Sequence, residues 1–252
     1  MSFGYQVLGF GTIGGSPAQD YTYVSGISNG YITQSSAGSQ PVTMPSSIQA
    51  NDLIYVTQYQ LIVSSAGYGN HTATAGTGFT YASGAVGFYG YTPYAFLNQT
   101  SYYKVAAGNE SGQSIGGFAT AANIVGTPNY RQTFVDVFRP VIGVSTITGT
   151  STQGSVSGTF SSSGSISRTV TSPSEGVGLG LVMQASYQSN AINITASGHS
   201  ILKSTDFSLP TGYYSYCKHR FFTVPPSTSV TIASNTTNGP QGLGMNIKAY
   251  NP

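Results

Sequence analysis

The chain has 252 residues, a net charge of +2 and only 6% Asp, Glu, Lys and Arg, against an ordinary charged share of about a quarter. That charge is too low for the usual disordered composition, and the eight scattered Lys and Arg make no phosphate footprint for nucleic acid. One Cys leaves no intrachain disulfide, no basic-then-apolar leader reads as a secretory signal, and no apolar run approaches the ~20 residues needed to span a membrane.

In chain order, residues 1–35 carry apolar and aromatic side chains broken by Gly9, Gly11, Gly14, Gly15 and Pro17. They read as an extended arm rather than as core. Leu53 to Val63 is the first strong strand, and in Leu53-Ile54-Tyr55-Val56-Thr57 both faces are apolar, which suits an interior strand. Residues 64–100, rich in Gly, Tyr, Thr and Ala, are expected to form long loops with one or two strands.

Further strands are expected at Gln132 to Arg139, Val141 to Thr148 and Ser165 to Thr171, with a polar edge or hairpin over 149–164. In Val177-Gly178-Leu179-Gly180-Leu181-Val182-Met183 large side chains alternate with glycines. One face of that strand should meet bulk and the other a close neighbour. Tyr213 to Val224, Ser229 to Ala233 and Leu243 to Ala249 complete the series. No helical periodicity is sustained and no internal repeat stands out. The expected fold is all-β, a jelly-roll-like antiparallel β-sandwich over residues 36–252 preceded by the arm of residues 1–35.

Gly9-Phe10-Gly11-Thr12-Ile13-Gly14 has the spacing of a dinucleotide-binding turn. The chemistry needs a helix N-terminus at the third glycine and an acid about 20 residues on, and the sequence supplies neither. The six acids are widely separated. Asp52, Glu110 and Glu175 sit where turns are expected, and Asp136 stands inside a strand near Arg131 and Arg139, suggesting an ion pair. His71, His199 and His219 lack metal-ligand spacing. Cys217 reads as a buried thiol, and a nucleophilic role would need a base, for which His219 on the same strand face is the candidate. Lys218-His219-Arg220 reads as a solvated strand end. Sequons at Asn70, Asn98, Asn109, Asn193 and Asn235 match the number that so much Ser and Thr would give by chance. No catalytic, metal or cofactor residues are assigned.

The 19 Tyr and 12 Phe are the most functional-looking feature, because Tyr offers flat, amphipathic contact area at low entropic cost. Half their weight goes to plain sheet packing. Tyr81, Tyr89, Tyr91 and Tyr94 are the candidate receptor or partner surface, and Phe3, Tyr5, Val7, Leu8, Phe10 and Ile13 the candidate attachment residues of the arm. A surface of Ser, Thr, Asn, Gln and Tyr has little charge repulsion to keep molecules apart, which suits permanent assembly.

Three segments bear a family likeness. Pro45-Ser46-Ser47-Ile48-Gln49-Ala50-Asn51-Asp52-Leu53-Ile54-Tyr55-Val56 is similar to the Pro…Gly-Asp-Leu-Leu-Val opening strand of a group of tailed-bacteriophage virion structural proteins, with Asn51 where that group usually has Gly. Ser101-Tyr102-Tyr103-Lys104-Val105-Ala106-Ala107-Gly108-Asn109-Glu110-Ser111-Gly112 resembles their Tyr-Lys-Val-Ala…Glu-Ser/Pro-Gly segment, and Tyr5-Gln6-Val7-Leu8-Gly9-Phe10-Gly11 resembles the N-terminus of small phage structural proteins. The resemblance implies a virion β-sandwich and no catalytic residues. Combined with the composition, it gives the expectation of a non-enzymatic capsid decoration protein on the particle exterior, anchored by its arm. Its partners would be the major capsid protein or tail components and further copies of itself, without nucleic acid, membrane or cofactor. A tail- or fibre-attached receptor-binding protein is the alternative, with a host-surface glycan as a candidate ligand. A carbohydrate-binding module ranks third and a polysaccharide depolymerase is the enzymatic outsider.

Overall fold

The structure is a computed structural model that describes residues 21–34, 38–64, 71–89, 94–122, 129–141, 164–174, 177–186, 191–209, 216–236 and 241–250. Every regular element among them is a β-strand. The first eight are β1 (Tyr21–Gln34), β2 (Gly38–Thr43), β3 (Leu53–Ser64), β4 (His71–Thr74), β5 (Thr80–Tyr89), β6 (Tyr94–Val105), β7 (Ser114–Ala122) and β8 (Asn129–Pro140). The remainder are β9 (Gly164–Thr171), β10 (Val177–Ser186), β11 (Ile192–Thr195), β12 (Ser200–Ser208), β13 (Tyr216–Val224), β14 (Ser229–Thr236) and β15 (Gln241–Tyr250).

These strands make four antiparallel sheets stacked as layers. An outer sheet β2-β7-β4 covers an inner sheet β1-β8-β3-β6-β5; an inner sheet β12-β13-β10-β15 faces the latter and carries the outer sheet β11-β14-β9 on its far side. Three cores fill the gaps. The central one joins the two inner sheets through Tyr55, Tyr59, Leu61 and Phe138 on one side and Leu179, Leu181, Met183 and Phe221 on the other. Each such side chain contributes roughly 1.5–3 kcal/mol on burial. Ile54, Val56, Val135 and Val137 face Val42 and Phe118 in the second core, and Val182, Phe222 and Ile247 face Val230 and Ile232 in the third. β3 has apolar residues on both faces because it lies between two cores.

The chain runs through this topology twice. In the first half, β2, β4 and β7 go to the outer sheet and β3, β5, β6 and β8 to the inner one; in the second, β9, β11 and β14 go out and β10, β12, β13 and β15 in. The neighbour orders are the same, β8-β3-β6-β5 against β15-β10-β13-β12 and β2-β7-β4 against β9-β14-β11. A register shift falls between Tyr81 and Ser83 in the β5–β6 pair and between Ile201 and Lys203 in the β12–β13 pair. Among the described strands, β1 alone lacks a counterpart. No repeat stands out in the sequence; the structure has one at the level of topology.

The all-β antiparallel expectation holds. β1–β8 follow the alternation of a jelly roll between two sheets except at β5, which pairs with β6 instead of extending the outer sheet beside β4. The boundary drawn at residue 35 does not hold. Residues 21–34 form β1, paired along β8 with Tyr21 only 2% exposed, so they belong to the sandwich. Residues 64–100, expected to be mostly loop, contain β4, β5 and most of β6. Of the strand expected over Val141 to Thr148, all but Val141 lies outside the described residues, as does most of the segment 149–164.

Candidate functional site

The two segments with a family likeness meet in space. Asn51 N–H donates to the Ala106 carbonyl at 2.8 Å, and Ala106 N–H donates to the Asp52 carbonyl at 2.7 Å. Met44 N–H reaches the Gln113 carbonyl at 2.8 Å, and Gly112 N–H the Pro45 carbonyl at 3.0 Å. Asn51 takes φ 69°, the left-handed region where Gly is favoured and Asn is the usual substitute. Gly108 takes φ 94°, and a Cβ there would press to 3.2 Å on Ala50 Cβ.

Two acids hold this clasp together. Asp52 Oδ2 accepts from Gln49 N–H at 2.8 Å, and both its oxygens accept from Arg139 at 2.8 Å in a bidentate pair. Glu110 accepts from the N–H groups of Ala107 and Gly108 and from Lys104 Nζ at 2.7 Å. Burial would raise the Glu110 carboxyl, but Lys104 and the backbone donors outweigh it and hold the group below its ordinary 4.5. The turn expectations for Asp52 and Glu110 are met.

A second cluster occupies the central core. Asp136 on β8 pairs with His219 on β13, with Oδ2 and Nε2 3.4 Å apart. In place of the ion pair anticipated for Asp136 with Arg131 or Arg139, Asp136 faces His219 across the inner sheets. Strand parity explains the change, since Asp136 shares the inward face with Phe134 and Phe138. Tyr59 Oη donates to the Lys218 carbonyl at 3.0 Å and lies 3.3 Å from His219 Nδ1. The rings of Phe134 and Phe221 stand 5.1 and 5.7 Å from the His219 ring. Tyr23 reaches Asp136 past Gly26, paired opposite Asp136, where a Cβ would stand only 2.5 Å from the Tyr23 hydroxyl and 2.7 Å from Asp136 Oδ1. Burial first, then the Asp136 charge and hydrogen bond, pushes the Tyr23 phenol up to about 12.

Asp, His and Tyr are the residue types of a proton relay, yet His219 is fully buried and Asp136 only 3% exposed. The arrangement therefore welds sheets together and offers substrate no approach. Cys217, also fully buried, has its thiol pushed up by burial and lacks the exposed, electropositive setting of a nucleophile. The basic trio is not a uniformly solvated strand end. His219 points into the core, while Lys218 and Arg220 both pair with Asp206, the former at 3.7 Å. Asp20 and Glu175 lie outside the described residues, among which no group of three potential metal ligands occurs. No helix there is long and apolar enough to cross a membrane.

The candidate surface residues divide. Tyr81 on β5 is 45% exposed with its ring edge-on to Tyr102. Tyr89 ends β5 and pairs with Ala95, Tyr94 opens β6, and Tyr91 between them lies outside the described residues. Phe3, Tyr5, Val7, Leu8, Phe10 and Ile13 lie outside the described residues as well. Compared with family models, curated proteins and solved structures, the chain matches none.

Proposed function

We propose that this protein is a non-enzymatic structural component of the exterior of a tailed-phage particle, a capsid decoration protein held in place by the segment N-terminal to β1. The observation that carries the reading is the clasp. The two longer segments resembling phage virion proteins are hydrogen-bonded to each other, with Asn51 left-handed where those proteins carry Gly. A shared pair of segments that builds a structural joint speaks for a shared scaffold.

The acids support the same reading. Asp52, Glu110, Asp136 and Asp206 are each engaged by a cation or His219. Attachment through residues 3–13, laid as an added strand on a neighbour, suits a protein whose own surface carries little charge to direct docking. Co-sedimentation of the purified protein with empty capsids and with host cells tests the proposal. Binding to capsids alone is expected; cleavage of host polysaccharide by the protein would overturn the non-enzymatic part.

One observation favours a second reading, a tail- or fibre-attached receptor binder. The β5–β6 hairpin carries exposed Tyr81 on its flank and Tyr89 and Tyr94 where the strands meet. Cell binding abolished by replacing Tyr89, Tyr91 and Tyr94 with Ala would select it.

A further inference from the structure

Among the described strands, the inner sheet is wider than the outer one in both halves of the chain. In the second half the consequence is an open slot. β11, the edge of the outer sheet, is hydrogen-bonded to β14 on one side only among the described strands. β12, which would complete the outer sheet in a jelly roll, pairs with β13 in the inner sheet instead. Between β11 and β12 lies a groove of about 520 Å³ lined by Ile192, Ile194, His199, Ile201, Ser204 and Arg220. Ile201 is 45% exposed there, and Ile192 and Ile194 are half-buried.

The edge offers none of the usual protection against pairing. Ile192-Asn193-Ile194-Thr195 has no charge, Pro or bulge along its register with β14, and only its shortness discourages an added strand. Arg220, the one full charge among the described residues of the groove wall, already holds Asp206 and donates to the Thr205 and His219 carbonyls. The slot therefore suits an extended, uncharged, apolar segment.

The chain itself contains one. Phe3-Gly4-Tyr5-Gln6-Val7-Leu8-Gly9-Phe10 has no charged residue and sets Phe3, Tyr5 and Val7 at the spacing of one strand face. Its point of departure is fixed by β1. Phe138, opposite Tyr23, touches Phe221, which pairs with Lys203, and Lys203 Nζ lies 5.0 Å from the Tyr23 ring. Phe134 touches Phe207 at 4.8 Å. Going from Phe134 to Phe138 thus follows β12 from Phe207 back to Lys203, so Tyr21 lies level with the Ile201 end of the groove. Followed from Gln34 to Tyr21, β1 itself therefore points out past that end, away from its own groove.

We infer that the β11–β12 groove is a strand acceptor for residues 3–10 of a second copy of this chain, which join β11 as an added strand with side chains against Ile194 and Ile201. The inference rests on the proposed role of the N-terminal segment and names its acceptor. Two copies related by a two-fold axis near the Ile201 ends would exchange segments reciprocally.

Cross-chain trapping tests this. Full-length Val7→Cys protein is mixed under mild oxidation with full-length protein carrying Asn193→Cys or Thr195→Cys; native Cys217 is buried and stays silent. Expected is a disulfide-linked dimer containing one chain of each kind, together with loss of dimer in light scattering after deletion of residues 2–13. A disulfide formed only within single chains carrying both substitutions would overturn the exchange, and no disulfide at either groove position would overturn the acceptor. Incorporation into particles without any trapped dimer would sink this inference and leave the virion role standing, whereas trapped dimers that never enter particles would do the reverse.

Discussion

Asp136 and His219 face each other 3.4 Å apart at the seam between the two halves of the chain, inside a ring of Tyr59, Phe134 and Phe221. Removing one member leaves the other's buried polar group uncompensated, at a cost of about 1–3 kcal/mol, whereas replacing both with apolar groups of similar volume is far milder. Asp136→Ala should therefore lower the stability measured by urea unfolding by that amount. Asp136→Leu combined with His219→Phe should recover most of the loss. A single-mutant cost below about 1 kcal/mol would show that the pair does not hold the seam.

Gly180 lies beneath the Phe222 ring, and a Cβ at that position would overlap three of its carbons. Adding a methyl to a packed core costs typically ~1–3 kcal/mol. Gly180→Ala should show such a loss in denaturant midpoint, and Phe222→Leu in that background should cost less than it does alone. Independent, additive costs would contradict the contact.

Glu110 is held below its ordinary value of 4.5 in the folded protein. A depressed carboxyl contributes stability that is complete above that ordinary value and is lost as pH falls through the lowered one. In melting curves from pH 7 down to pH 3, wild type should lose more stability below about pH 4.5 than Glu110→Gln does. Parallel curves would mean that the Lys104 pair adds nothing.

The boundary at β1 separates two truncations. Deleting residues 2–20 should leave a folded, β-rich product, since it removes no described strand, with its melting temperature lowered only by loss of the dimer. Deleting residues 2–30 removes buried Tyr21, the Tyr23 phenol on Asp136 and most of the pairing to β8, and should give an unfolded or strongly destabilised product by circular dichroism. Equal stability of the two products would restore the longer arm.

Much of the fold was legible because strand signals are local. β3, β8, β10 and β15 fall on stretches rich in large apolar residues and β9 and β14 on Ile and Val alternating with Ser and Thr, all bounded by turn residues, and the alternating glycines of β10 marked a close approach that Phe222, Val224 and Ile247 provide. What stayed hidden was relational. β1 is Gly- and Ser-rich and edge-like, so its membership depends on β8. The duplication is carried by pairing order rather than by residues, although Thr74-Ala75 and Thr195-Ala196 lead into equivalent turns with left-handed Gly78 and Gly198. The Asp136–His219 contact joins residues far apart in the chain. Its only sequence trace is that each has bulky aromatic neighbours at i±2, Phe134 and Phe138 for one and Phe221 for the other, which placed both side chains on inward faces.

The central claim is residence on the outside of a virus particle. Antibodies raised against the folded protein, applied to intact purified phage particles and viewed by electron microscopy, measure it directly. The account predicts regular labelling over the capsid surface. Unlabelled particles, with the protein recovered only from the soluble fraction of infected cells, would contradict it.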